Sequence, residues 1–288
     1  MSVFIKVRLA KLVCSCSDFL FVFKFIANSS GKEYKVGFFK KLKLAKKIKR
    51  NNKKIKSLTV WDQHFVMVEE ILRIPKSLKG DVVECGCFNG ASTVNLSLAC
   101  ALTGRRLLVC DSFEGLPQPE DQEKHDIHAH STDYYIWEQG EFSSDSGLEG
   151  VKKNVAKYGN INVCHFVKGY FNETLKNLDT DNVVFVFEDA DIASSVADCL
   201  RYLWPKLKDG CKFYCHEPWS IQVVSLFYNK QWWKDNLDTQ PPGFYGSGFG
   251  LKVGVKYTKI GYAQKFDPQK IKEDGKKIIL SGSKGENK

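Results

Sequence analysis

The sequence predicts an α/β fold: a mostly parallel sheet with helices on both faces and an antiparallel hairpin at its C-terminal end. Three observations predict it. Apolar strand-like runs alternate with helix-spaced segments; residues 81–115 read as one strand, glycine turn, helix and strand; and four successive strand-like runs end in acidic residues.

Residues 81–115 organise the rest. Val82 and Val83 lead to Glu84, and the chain breaks at Gly86-x-x-x-Gly90 before a helix from Ala91 to Ala101 that packs Val94, Leu96 and Leu98. After Gly104 a second apolar run, Leu107–Val109, stops at Asp111. This is a βαβ crossover with a nucleoside-sized site at its mouth, since glycines allow close backbone approach and helix N-terminal amides face the ligand. A dinucleotide site wants Gly-x-Gly-x-x-Gly, and here the middle glycine is missing: Cys87, Phe88 and Asn89 fill the turn. An acid at each of two strand tips suits S-adenosylmethionine better, because its sulfonium and ammonium are cationic and its ribose offers two hydroxyls to Asp111. The bland alternative is a tight strand–helix turn without a ligand.

At 288 residues, 43% hydrophobic and 26% charged, the chain has the composition of a soluble globular protein with one large core. The net charge of +10 is uneven. Residues 1–57 hold 16 Lys/Arg against Asp18 and Glu33, or +14, leaving −4 for the remainder. We therefore expect a basic N-terminal arm (1–57) separable from the core, a catalytic domain (58–266) and a polar tail (267–288). The ten cysteines sit mostly in apolar runs and never as Cys-x-x-Cys, which fits a reducing, cytoplasmic setting. Cys14-x-Cys16 and Cys85-x-Cys87 lack further ligands for a soft metal.

Along the chain, Leu12 to Ala27 is apolar but interrupted by Asp18 and Lys24, too short and broken for a membrane span or a signal peptide. From Phe38 to Ile55 apolar positions recur at near-helical spacing among lysines. That pattern is a basic amphipathic helix, suited to an anionic membrane surface or nucleic acid (residues 38–56), or else docked on its own domain. Thr59 can cap a helix from Trp61 to Ile74, which Pro75 ends.

Pro117 to Ser146 is a long polar stretch, expected to be a lid or substrate loop. Its His125, His128 and His130 could ligate zinc, or contact substrate. Ser146 and Glu149 look like a capping box opening a helix over Val151 and Val155. A strand Asn162–Val167 delivers Gly169, a short helix spans Phe171 to Leu178, and Val183–Phe187 is an all-apolar strand ending in Glu188-Asp189-Ala190-Asp191. A helix starts at Ser194, and a strand Cys211–Cys215 ends at His216-Glu217. Beyond a helix with Trp232 and Trp233, the runs Leu251–Tyr257 and Ile260–Lys265 form the expected hairpin.

Glu84, Asp111, Asp189/Asp191 and Glu217 thus stand at four strand ends, with His216 beside the last. In an open parallel sheet these ends share the ligand-binding edge. Carboxylates gathered there repel one another unless a cation neutralises them.

Several stretches resemble the macrocin O-methyltransferase (TylF/MycF-type) family. They are Val83-Glu84-Cys85-Gly86 with Gly90-Ala91-Ser92, Asp111-Ser112-Phe113-Glu114-Gly115-Leu116-Pro117, Val167-Lys168-Gly169-Tyr170-Phe171 with Glu173-Thr174-Leu175, Asp189-Ala190-Asp191 with Ser195, and Pro241-Pro242-Gly243. The similarity spans about residues 58–265. It implies a class I (Rossmann-like) methyltransferase fold, S-adenosylmethionine as cofactor, and a magnesium ion that holds the acceptor hydroxyl of a sugar or glycoconjugate. It places Glu84, Gly86, Gly90 and Ser92 at the methionine end and Asp111 at the ribose, with Ser112 and Gly169 beside them. Asp189, Asp191 and Glu217 would ligate the metal, and Asp189 and His216 would serve catalysis. One departure stands out: the family pattern has two adjacent aspartates where this chain has His216-Glu217. The competing reading is a catalytically silent nucleoside-fold scaffold, held to membrane or RNA by its basic arm. A homo-oligomer is compatible with either.

Overall fold

The computed structural model describes residues 18–127, 134–253 and 256–266. A six-stranded sheet runs β10-β7-β6-β1-β2-β5. Its strands are β1 (Asp81–Cys85), β2 (Leu107–Asp111), β5 (Cys164–Lys168), β6 (Val183–Glu188), β7 (Leu207–Cys215) and β10 (Gly261–Gln264). Five are mutually parallel, and β10 pairs antiparallel with β7. Strand order reverses between β1 and β6. Helix α4 (Ala91–Thr103) joins β1 to β2 on one side of that point, and α7 (Ala193–Leu203) joins β6 to β7 on the other. Because such crossovers share one hand, the two helices cover opposite faces and leave a crevice above β1 and β6.

The all-apolar run of β6 is buried at every position, as a central strand covered on both faces must be. On the α4 face lie α2 (Phe38–Lys54), α3 (Trp61–Arg73) and α5 (Gly147–Tyr158); α6 (Phe171–Thr174) and α8 (Ile221–Leu226) pack with α7. A last helix, α9 (Lys230–Leu237), buries Trp233.

Several expectations need correction. Residues 18–57 pack on the core: helical residues 18–27 (α1) and α2 bury Phe21, Phe25, Leu44, Ala45 and Ile48 in the same hydrophobic cluster as the sheet. The apolar stripe of α2 is therefore packing surface, and its lysines are the solvent face, apart from buried Lys41. Lys41 Nζ donates to the carbonyls of Phe25 (3.3 Å) and Asn28 (2.6 Å), holding the end of α1. Thr59 does not cap α3, whose N-cap is Val60; it faces inward to His64. Ser146 is the N-cap of α5 without a capping hydrogen bond.

The expected C-terminal hairpin divides: β10 closes the sheet on β7, whereas β8 (Lys252–Val253) and β9 (Lys256–Tyr257) pair only with each other. The loop after β2 carries an unpredicted hairpin of β3 (His125–Ile127) and β4 (Tyr134–Ile136). It is anchored by Glu123, whose carboxylate accepts from the Ser194 amide and, at 2.8 Å, from the Ser194 hydroxyl. Cys14, Cys16, His128, His130 and the 267–288 tail lie outside the described residues, so the Cys14-x-Cys16 and three-histidine readings have no structural account; Cys85 and Cys87 are buried free thiols that join no candidate metal group among the described residues. Among the described residues no helix is long and apolar enough to cross a membrane.

Candidate active site

The strand ends open into a cavity of about 780 Å³, lined among others by Gly86, Asp111, Tyr170, Asp189, Asp191 and His216. Its size suits a nucleoside cofactor with room beside it.

On the β1–β2 side, Asp111 accepts hydrogen bonds from the amides of Cys87 and Phe113, both at 2.6 Å. Those bonds fix the carboxylate at the cavity mouth, while burial pushes its pKa up despite them. Both expected glycines are set by the protein's own packing. Gly86 has φ +82°, and a Cβ there would collide with the Asp189 carbonyl oxygen; at Gly90 (φ +81°) it would sit 2.8 Å from Val151 Cγ1. Ser92 is buried on the cavity wall at the start of α4. Ser112 also reaches the wall, but its hydroxyl ties a turn, donating to Gly115 O at 2.7 Å and accepting from Glu114 N at 3.1 Å. Gly169 hydrogen-bonds Asp111 O through its amide (3.0 Å) and leaves the wall to Tyr170 and Phe171.

Glu84 lies beneath the turn rather than in the cavity. It is fully buried, and burial pushes its pKa up to about 8 against the opposing pull of the Ser92 and Thr93 hydroxyls.

On the β6–β7 side, His216 Nδ1 is 2.8 Å from Asp189 Oδ1 and 3.2 Å from Glu217 Oε1. Burial alone would lower the imidazole pKa, but these carboxylates outweigh it and hold it well above the ordinary value. Donor atoms of Asp189, His216 and Glu217 all lie within 4.8 Å of one another, as do those of Glu188, Cys215 and Glu217. Asp191, expected among the ligands, is in neither group. It lines the cavity in a left-handed conformation (φ 63°), and burial together with the Asp189 charge raises its pKa. Glu188 went unassigned from sequence. Its Oε1 accepts from the Ala190 amide at 2.7 Å, Oε2 is buried and unpaired, and burial raises its pKa to about 7. The only sequence signal was an acid closing an apolar strand.

His64 was also unassigned. Fully buried, it accepts from Asn95 Nδ2 at Nδ1 and faces Thr59 Oγ1 from Nε2, both at 2.8 Å, and Asn51 Nδ2 donates to Asn95 Oδ1 at 2.9 Å. This chain links α2, α4 and α3 to Thr59, which lines the cavity.

The profile of the macrocin-O-methyltransferase (TylF) family matches residues 62–221, which contain every one of these strand-end residues. The chain belongs to that family. It is 31% identical over 135 residues (46% of this chain, 50% of the relative) to 8-demethyl-8-(2,3-dimethoxy-alpha-L-rhamnosyl)-tetracenomycin-C 4'-O-methyltransferase of Streptomyces olivaceus. It is 26% identical over 152 residues (50% and 53%) to demethyldecarbamoylnovobiocin O-methyltransferase of Streptomyces niveus. The chain spans about half the length of these curated relatives. The solved O-methyltransferase NovP has the same fold, with a TM-score of 0.52 at 18% identity over 72% of this chain and 78% of that one. This TylF-family fold is the class I methyltransferase sheet expected from the sequence.

Proposed function

We propose that this TylF-family protein is an S-adenosylmethionine-dependent O-methyltransferase acting on a hydroxyl of a sugar or glycoside. The observation that carries the reading is one cavity that joins Asp111, at the end of β2, to Asp189 and His216 at the ends of β6 and β7, with Glu217 paired to His216 behind the wall. The Streptomyces olivaceus relative is named as a 4'-O-methyltransferase of a rhamnosyl-tetracenomycin, which supports the acceptor class.

S-adenosylmethionine supplies an electrophilic methyl group. Asp111 would bind its ribose hydroxyls, and Tyr170 and Phe171 would shield its purine from water. The cluster side would hold the acceptor oxygen in line and take its proton, with Asp189 and His216 nearest. The main contribution of the chain is positioning. The donor chemistry of the cluster would suit a divalent cation: two carboxylates and an imidazole bring donor atoms within 4.8 Å of one another. Those three residues would hold the ion, and magnesium is the one the resemblance implies. When bound it would lower the pKa of the acceptor hydroxyl.

Partners remain proposals too. Phe19, Leu20 and Phe23 of α1 are 68%, 62% and 53% exposed, and apolar side chains beside a basic segment support an anionic membrane surface over nucleic acid.

The test is transfer of labelled methyl from S-adenosylmethionine to a panel of glycosides, phenols and lipid headgroups. Labelling of glycosides supports the acceptor class; labelling of phenols alone overturns it.

A further inference from the structure

We propose that the acceptor is an uncharged glycoside, methylated after its glycosidic bond has formed, and that the part of it beyond the reacting sugar rests on Trp232. The proposal rests on the methyltransferase reading of the cavity and narrows its acceptor from any sugar or glycoside to one class.

The cavity is longer than one sugar. Ser194, Ala197, Asp198 and Arg201 line it at successive turns of α7, and Trp232 of α9 lines it with them. From Ser194 to Arg201 the helix rises about 10 Å. The cavity therefore runs outward from the Asp189–His216 end with room for a second ring. Trp232 is a fixed platform there. Its ring meets that of Trp233 edge-on with centroids 5.6 Å apart, and the Arg201 guanidinium lies over it at 5.9 Å. Asn236 joins the two residues, donating to Trp232 O at 2.8 Å and accepting from Arg201 Nε at 3.1 Å. A rigidly held aromatic side chain offers a sugar ring or a flat aglycone contact area at little entropic cost. Trp232 also lies beyond residue 221, outside the stretch that the family profile matches, so this part of the wall belongs to the chain itself.

Charge decides the acceptor class. Lys56 and Arg201 are the lysine and arginine of the cavity wall among the described residues, and each is already paired with a carboxylate: Lys56 with Asp145 at 3.4 Å, and Arg201 with Asp198. The amide end of α7, where a phosphate would otherwise sit, is taken by Glu123, which accepts from the Ser194 amide and hydroxyl. Glu120, Glu123 and Glu173 add further negative charge to the wall. A nucleotide sugar would bring its diphosphate to a surface with no unpaired cation to receive it, whereas the hydroxyls of a neutral glycoside can donate to those carboxylates. In the transfer the methyl C–S bond breaks and a C–O bond forms, the hydroxyl proton passes to the Asp189–His216 side, and S-adenosylhomocysteine leaves beside a methyl ether. The glycosidic bond is present before and after, so a glycosyl transfer must supply the substrate.

The experiment uses the full chain, labelled S-adenosylmethionine and matched acceptors. Rhamnose, glucose, galactose and mannose are each offered as the methyl glycoside, the p-nitrophenyl glycoside and the nucleotide diphosphate sugar, with Mg2+ and Mn2+ present. For the sugar accepted, the nitrophenyl glycoside should exceed the methyl glycoside roughly tenfold in kcat/KM, and the nucleotide sugar should be the poorest of the three. Trp232→Ala should erase that advantage through KM while leaving the methyl glycoside within about twofold of the parent, and Trp232→Phe should keep most of it. The parent series needs no variant and stands if Trp232→Ala does not fold. A nucleotide sugar methylated best, a Trp232→Ala loss shared equally by both glycosides, or no labelled glycoside at all would overturn the proposal. Calorimetry with S-adenosylhomocysteine on the same samples separates the two readings. Cofactor bound with the nucleotide sugar preferred removes only the acceptor class; no cofactor bound removes the methyltransferase reading and the proposal with it.

Discussion

The Asp189 carbonyl oxygen occupies the space where Gly86 would carry a Cβ, so the glycine turn after β1 and the acidic loop after β6 are fitted together across the point where strand order reverses. The Asp189 amide completes the contact by donating to Cys85 O at 2.8 Å. Gly86→Ala should therefore strain a positive-φ residue and displace Asp189 together. Cofactor affinity and transfer rate should both fall, with stability lost by about 1 kcal/mol or more. Calorimetry and urea denaturation of the variant would check this; loss of affinity with transfer per bound complex unchanged would contradict it.

Asp111→Ala removes the proposed partner of the ribose hydroxyls. Each charge-assisted hydrogen bond lost should cost about 1.5–3 kcal/mol of cofactor affinity. The variant also frees the amides of Cys87 and Phe113, so its fold should be confirmed by circular dichroism before titration with S-adenosylmethionine.

Asp189→Asn and Glu217→Gln each remove one negative charge while nearly keeping shape. Transfer rate should drop by roughly 10²-fold or more while cofactor affinity changes little, because the cofactor is held by the β1 and β2 ends. Rates that survive in both variants would mean the carboxylates only brace the loops.

Stability should fall on acidification through His64. Burial, with a smaller contribution from the His216 charge, depresses its pKa in the fold to about 3, from an ordinary 6.5. Its contribution is therefore complete above pH 6.5 and is lost as pH falls from there toward 3, at up to about 1.4 kcal/mol per pH unit. Urea denaturation at pH 7.5 and 5.5 should show the parent losing about 1 kcal/mol more than His64→Gln. Equal losses would mean that His64 is protonated in the fold.

What the sequence revealed follows the range of the interactions. The β1–α4–β2 unit was legible because glycines, periodicity and the terminal Asp111 are all local signals. The acidic edge was legible because parallel strands must present their ends together. The stripe of α2 was legible too, but not what it faces: Leu44, Ala45 and Ile48 meet a core built from residues far along the chain. The pairing of β10 with β7, the anchoring of Glu123 on Ser194, and the His64–Asn95–Asn51 chain depend on contacts that no local pattern encodes. Glu188 was hidden for the same reason, since only the neighbouring strand places Cys215 and Glu217 against it.

The central claim is that the cavity takes S-adenosylmethionine and not a dinucleotide. Calorimetric titration of the purified full chain with S-adenosylmethionine, S-adenosylhomocysteine and NAD tests it directly. Saturable binding of the first two, weakened in Asp111→Ala, and no heat with NAD is the predicted result; binding of NAD, or of none of the three, would contradict it.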